Sequence, residues 1–196
     1  MKKILFILIL SFFSTSIWAQ RDTDHWFAPM AGSLSNGSPK QALFLSTDST
    51  VPFPVTIYNN NIVIGTVTIS KGSPQTFDVP INFMLGQSPS DAMSIKTRGL
   101  YLHGDLPFFA TYRFSEINHG EILTSKGKAG IGTKFYAVYA PLMVIGAQPP
   151  QNTFLNELNF TRGILAPEDN TQVKVSGYAM QTWSTNNFNA LTHPSI

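Results

Sequence analysis

The stretch LTSKGKAGIGTKF, residues 123–135, sets Lys126, Lys128 and Lys134 among Gly127, Gly130 and Gly132. Glycines let a backbone close around a ligand and lysines neutralise phosphate, so nucleotide binding is the first chemistry to weigh. A phosphate-binding P-loop reads G-x-x-x-x-G-K-[ST] and lies between a strand and a helix. This segment fits neither that pattern nor G-x-G-x-x-G, and the following TKFYAVYA alternates as a strand does. Without a helix N-terminus there is no dipole and no set of free N–H groups for a phosphate. The expectation is a flexible loop or bulged edge entering a strand, with solvated lysines and no nucleotide.

Other constellations are thinner. Asp22-Thr23-Asp24-His25 brings carboxylates and an imidazole together, but a tetrahedral metal site needs three or four converging ligands. His103, His119 and His193 stand singly on different runs, so hydrogen-bonded or surface histidines are expected and no metal. Glu168-Asp169-Asn170 reads as a polar turn; calcium is conceivable there, yet the EF-hand pattern is missing. No G-x-S-x-G elbow and no H-E-x-x-H occurs. Glu116 and Glu121 read as exposed turn residues, although a glycosidase pair drawn from distant strands leaves no local signature. Aromatic residues make up 12% of the chain. Most must be core, and some of Trp26, Tyr101, Tyr112 and Trp183 are candidates to stack on sugars or on a protein.

What holds these residues begins after an export leader. Residues 1–19 open with Lys2 and Lys3, continue through the apolar Ile4–Phe13 and end in small and polar residues at Ala19. The apolar part is about ten residues, short of the roughly 20 a spanning helix requires. Cleavage after Ala19 is expected; an uncleaved membrane anchor is the alternative. The best later stretch, Tyr136 to Ala147, is interrupted by Pro141 and Gly146, so no membrane span is expected after cleavage. Losing Lys2 and Lys3 takes the 13 basic residues to 11, against 11 acidic ones. A neutral chain has no field to steer nucleic acid or anionic lipid, and neither is expected as a partner. With no cysteine there are no disulfides and no thiolate chemistry, so the core alone must hold the fold.

The apolar pattern has period two. Leu43 and Leu45, Val55 and Ile57, then Ile62, Ile64, Val67 and Ile69 recur at strand spacing. Phe108, Ala110, Tyr112 and Phe114 follow, and the theme continues at Phe135–Tyr139 and Val173–Val175. Such alternation puts one set of side chains in a core and the other in water. The separators are turn-formers: Asn59-Asn60-Asn61, Lys71-Gly72-Ser73-Pro74, Gly86–Asp91, Gly104-Asp105-Leu106-Pro107 and Gln148-Pro149-Pro150. Little or no helix is expected after the leader. The fold class that follows is all-β, an antiparallel β-sandwich.

A weak echo links FLSTDSTVPFPVTIYNN (44–60) to ILAPEDNTQVKVSGYAM (164–180). Two tandem modules would explain it, and so would two similar strand corners. The expected division is a signal peptide at 1–19, a β-sandwich module at 20–160, and at 161–196 either the start of a second, incomplete module or the final strands of the first. The tail FNALTHPSI has no strand pattern and is expected to fray.

Three strings in order, GLYLHGDLPFFATYRF (99–114), EILTSKGKAGIGTKFYAVYAP (121–141) and RGILAPEDNTQVKVSGY (162–178), carry a resemblance, together with the opening DTDHWFAPM (22–30). They resemble the N-terminal-type domain of the IgG-Fc-binding protein, a domain also found in large secreted surface proteins of gliding bacteria. Those proteins often end in a gliding-motility or type IX secretion sorting domain, which is not expected within residues 1–196. The likeness covers most of residues 22–178. It implies a β-rich extracellular module for surface display or adhesion, with no catalytic residues to transfer, and antibody binding is not carried over.

The functional expectation is a secreted or cell-surface binding and adhesion module without catalysis or cofactor, whose partner is an extracellular protein or glycan. A structural part of a larger surface or gliding-associated assembly is the alternative. A secreted carbohydrate-active enzyme comes third.

Overall fold

The computed structural model describes residues 20–31, 39–86, 95–115, 120–136 and 163–174. Residues 1–19, where an export leader is expected, lie outside them. No helix among the described residues is long and apolar enough to cross a membrane. In chain order the strands are β1 (Asp22–Phe27), β2 (Met30–Ala31), β3 (Lys40–Ser46), β4 (Phe53–Asn59), β5 (Ile62–Ile69), β6 (Gln75–Asp78), β7 (Leu85–Gly86), β8 (Leu100–Ser115) and β9 (Gly120–Thr124). One helical turn, α1 (Ile81–Met84), and a 3-10 turn at Gly127–Gly130 complete the described elements. The protein is all-β, and apart from the short parallel β2–β7 pair its strands pair antiparallel.

Strand β8, 16 residues long, is the spine. Its first part pairs with β1 and β4, and its second part with β3 and β9. β5 extends the sheet from β4, and β6 extends it from β3, giving one seven-stranded sheet. The far edges meet where Phe77 of β6 lies over Gly65 of β5, so close that a Cβ at Gly65 would overlap the ring. The two layers expected of a sandwich are thus halves of a nearly closed, barrel-like sheet. They stay joined because a single strand runs through both.

Gly104-Asp105-Leu106-Pro107 lies inside that strand and is not the turn its composition suggests. The partners of β8 change here: Gly104 is the last residue opposite β4, and Phe109 the first opposite β3. Pro107 stands where no registered partner faces it, so its missing N–H takes no bond from the ladder. Its carbonyl accepts from Thr47 Oγ1 at 2.9 Å.

Alternation builds the core. Leu100, Leu102, Phe108, Ala110, Tyr112 and Phe114 of β8 are buried, facing Leu43 and Leu45 of β3 and Phe53, Val55 and Ile57 of β4. Each such aliphatic or aromatic side chain contributes about 1.5–3 kcal/mol by leaving water. Strand β5 departs from the simple pattern. Ile57 faces Gly65 while Tyr58 faces Val63, so β5 carries one extra residue at Ile64. This bulge changes the phase: Ile69 is buried, whereas Ile62 is 66% exposed.

The β4–β5 hairpin closes through Asn60 and Asn61, at φ 48° and 63°. Two left-handed residues make the turn whose twist suits paired strands. Replacing Asn61 with valine is expected to lower stability by about 1–2 kcal/mol, the cost of a β-branched residue in that conformation. Asn61→Gly should leave the thermal midpoint unchanged or slightly raised.

Residues 131–136 form no strand, and Phe135 and Tyr136 are exposed. Residues 163–174 likewise contain no strand; Glu168–Asn170 turn there, with Thr171 Oγ1 donating to the Glu168 carbonyl at 2.8 Å. Near the start of that segment Gly163 and Leu165 lie against Pro29 and Gly99. The 160/161 boundary, Gly86–Asp91 beyond Gly86, Gln148–Pro150 and the tail lie outside the described residues.

Candidate functional site

Three adjacent strands place an aromatic row on the outer face of the sheet. Trp26 of β1 stands opposite Tyr101 of β8, and Tyr101 opposite Tyr58 of β4. Each neighbours an inward residue, so alternation turns all three rings outward, and all are partly exposed. The Trp26–Tyr101 and Tyr101–Tyr58 centroids are 5.3 and 5.4 Å apart, with planes 26° and 28° from parallel. Fully overlapped faces would approach to about 3.5–4.0 Å, so the rings form an offset stack.

One pleat along runs a polar row: Asp24 of β1, His103 of β8 and Thr56 of β4. Asp24 organises it. Its Oδ1 accepts from Tyr101 Oη at 2.6 Å and from His103 Nδ1 at 2.9 Å. Its Oδ2 accepts from Thr23 Oγ1 and Lys128 Nζ, both at 2.7 Å. Burial alone would raise the Asp24 pKa, but these donors outweigh it and hold the carboxyl far below the usual carboxylate range. The Tyr101 hydroxyl is pushed up by burial and by its bond to that carboxylate.

Lys128 comes from the glycine- and lysine-rich stretch that first suggested phosphate. Gly127 sits at φ 57° with its Cα pressed on Asp22, where a Cβ would overlap the carboxylate side chain. This brings Lys128 N within 2.8 Å of Asp22 Oδ2. Lys128 is therefore not simply solvated: its amine pairs with Asp24, lies 3.6 Å from Asp22 Oδ1 and has its pKa raised by the Asp24 contact. The segment's only helical piece is a 3-10 turn of four residues. The central cation of the loop is thus matched by two carboxylates.

His25 takes the other face of β1, away from Asp22 and Asp24. It is fully buried, edge-on to Phe108 at 4.5 Å. Nε2 donates to the Phe108 carbonyl at 2.8 Å, with Asp22 O at 3.2 Å, and Nδ1 meets no partner among the described residues. Burial lowers its pKa, against the pull of the carbonyls and nearby carboxylates. Burial favours the neutral ring, and a proton on Nδ1 would find no acceptor among the described residues.

A pH dependence follows. The unfolded chain takes up a proton at His25 below about pH 6.5, where the folded ring still resists it, so stability falls from there as pH drops. Asp22 and Asp24, both depressed in the fold, contribute stability that is present above about pH 3.9 and lost below it. Urea midpoints should stay level between about pH 7 and 9, decline in the mildly acidic range and drop steeply near pH 3–4. The His25→Phe variant should lose the first decline and keep the second.

The other sequence candidates separate. Trp26, Tyr101 and His103 meet at this face. Tyr112 is in the core at 0% exposure. Glu121 is exposed on β9, and Glu168 and Asp169 are exposed in their turn. Among the described residues no three His, Asp or Glu side chains converge as metal ligands. Glu116, His119, Trp183 and His193 lie outside the described residues. Sequence reasoning passed over Tyr58, although Val55 and Ile57 pointing inward already turn it outward. No family model, curated protein or solved structure matches this chain.

Proposed function

We propose that this chain is a secreted or cell-surface binding and adhesion module, non-catalytic, that engages an extracellular protein or glycan through the Trp26–Tyr101–Tyr58 row. The single observation that carries this reading is three partly exposed rings aligned on adjacent strands. Large, stiff aromatic surfaces facing solvent lose little entropy on contact and dominate recognition energetics. The export leader and the likeness to IgG-Fc-binding-type domains of gliding bacteria, with their surface display and type IX secretion, support the extracellular placement. Asp22 and Asp24 are saturated with donors and held ionised. That suits fixing geometry and works against a general acid, which must hold a proton near neutral pH.

Pull-downs from cell-surface and cell-wall material test the proposal. The wild-type chain should retain material that Trp26→Ala and Tyr58→Ala do not. Equal retention by all three, or none by any, counts against it. The second reading, a structural part of a surface or gliding-associated assembly, draws on Phe44 and Phe109, exposed at 41% and 38% on adjacent strands of the other half. Size-exclusion chromatography at rising concentration separates the two: a monomer throughout supports the free binding module, and concentration-dependent oligomers support the assembly.

A further inference from the structure

We infer that the ligand of this face is a neutral glycan, whose ring C–H faces lie along Trp26, Tyr101 and Tyr58 and whose hydroxyl rim meets His103. The inference rests on the reading of the aromatic row as a binding surface and names the chemistry it selects. A pyranose is apolar on its C–H face and carries hydroxyls around its edge. The sheet presents the same division: an apolar row of rings, and one pleat away, about 6.8 Å along the strands, the row Asp24–His103–Thr56, continued on β5 by Thr66.

His103 is oriented for this. Its Nδ1 donates to Asp24 at 2.9 Å, so in the neutral ring Nε2 carries the free lone pair and accepts. The side chain is 46% exposed, and its ring centroid is 6.5 Å from that of Tyr101. A hydroxyl of a sugar lying over the exposed margin of the stack at Tyr101 is thus offered an acceptor held in place by a saturated carboxylate. Tyr101 is fixed by the same Asp24, so stacking and hydrogen-bonding groups share one anchor.

The charge pattern argues against an anionic ligand. Nucleobases also stack on rings, but their phosphates require cations beside the row. Lys128 is committed to Asp24 and Asp22, and of the residues lining the cavity beyond Trp26, Lys126 alone carries a positive charge. The row is also longer than one sugar. Its Trp26 end opens on a cavity of about 260 Å³ between Thr124–Gly127, Ile131 and Leu165. An oligosaccharide running across the strands fits this layout better than a monosaccharide.

Calorimetric titration of the leader-free chain with neutral oligosaccharides (cello-, xylo-, manno-, laminari- and chito-hexaoses), and with anionic oligogalacturonate and single-stranded oligonucleotides, tests this. Binding to at least one neutral hexaose is expected, with no binding to either anion. Trp26→Ala and Tyr58→Ala should each weaken it about tenfold or more, as loss of a stacking ring does. His103→Ala should weaken it about fivefold, one hydrogen bond's worth, with thermal midpoints verifying that each variant folds. His103→Phe, which keeps a ring and removes the acceptor, should behave like His103→Ala. No neutral hexaose bound, anionic ligands preferred, or binding untouched by the ring variants overturns the glycan assignment. Capture of a protease-sensitive surface component through the same rings would retain the binding module and overturn the sugar. Absence of any ring-dependent binding would overturn both.

Discussion

Tyr112→Ala is expected to lower the unfolding free energy by about 3–5 kcal/mol, the range for deleting a fully buried aromatic side chain. Domains of this size hold only about 5–15 kcal/mol in reserve, so much of the population should unfold in mild urea. Tyr112 lies in the second part of β8, at 0% exposure, opposite Leu43 of β3 and Leu123 of β9, with Phe27 of β1 at 6.1 Å. Its loss opens a void where three strands converge. The hydroxyl contributes separately. It donates to Gln41 Oε1, while Gln41 Nε2 is buried without a partner among the described residues. Burial pushes the Tyr112 hydroxyl pKa up, so the group is a neutral donor. Tyr112→Phe should therefore cost about 1–3 kcal/mol, because it strands the Gln41 oxygen. Adding Gln41→Leu should recover most of that loss, since removing both partners also removes the unpaired amide. Urea melts of the four proteins give the cycle; a double variant no more stable than Tyr112→Phe would contradict this account.

Asp24→Ala is expected to cost about 2–3 kcal/mol, a large loss for a residue at the face of a sheet. The carboxylate is 12% exposed and takes four donors, from Thr23, Tyr101, His103 and Lys128. Removing it leaves the partly buried Tyr101 hydroxyl without its acceptor and lets the 125–130 loop lift from β1. Amide hydrogen exchange should accelerate at Gly127 and Lys128, and far less in the core of β8. Asp24→Asn, which keeps one carbonyl oxygen, should fall between the wild type and alanine. Lys128→Met should matter much less than either, because that amine stands in water and its pairing is screened. Equal effects from the two ends of the pair would show that the ion pair, and not the carboxylate's set of hydrogen bonds, holds this corner. Ligand binding at the row should also weaken in Asp24→Ala, since Tyr101 and His103 lose their common anchor.

The sequence by itself determined the class and much of the face assignment. Period-two alternation reflects a local rule, successive side chains on opposite sides of a strand, and it correctly turned Leu43, Leu45, Val55, Ile57, Phe108, Ala110, Tyr112 and Phe114 inward. The Asn60–Asn61 turn was legible for the same reason, since positive φ is a property of single residues. Even the bulge left a mark, because the apolar spacing shifts phase between Ile64 and Val67. Alternation applied to DTDHWF would also have split His25 from Asp24.

Only the tertiary structure decided the rest. Gly104–Pro107 reads as a turn by composition, yet it runs on as strand because the partners of β8 change there. Lys128 and Asp24 are 104 positions apart, and nothing local tells the lysine that its charge will be matched. Trp26, Tyr101 and Tyr58 become one surface only through the register of three strands distant in the chain. Local conformation follows from neighbours in sequence, whereas a site made of side chains on different strands exists only once long-range pairing has set which residues stand side by side.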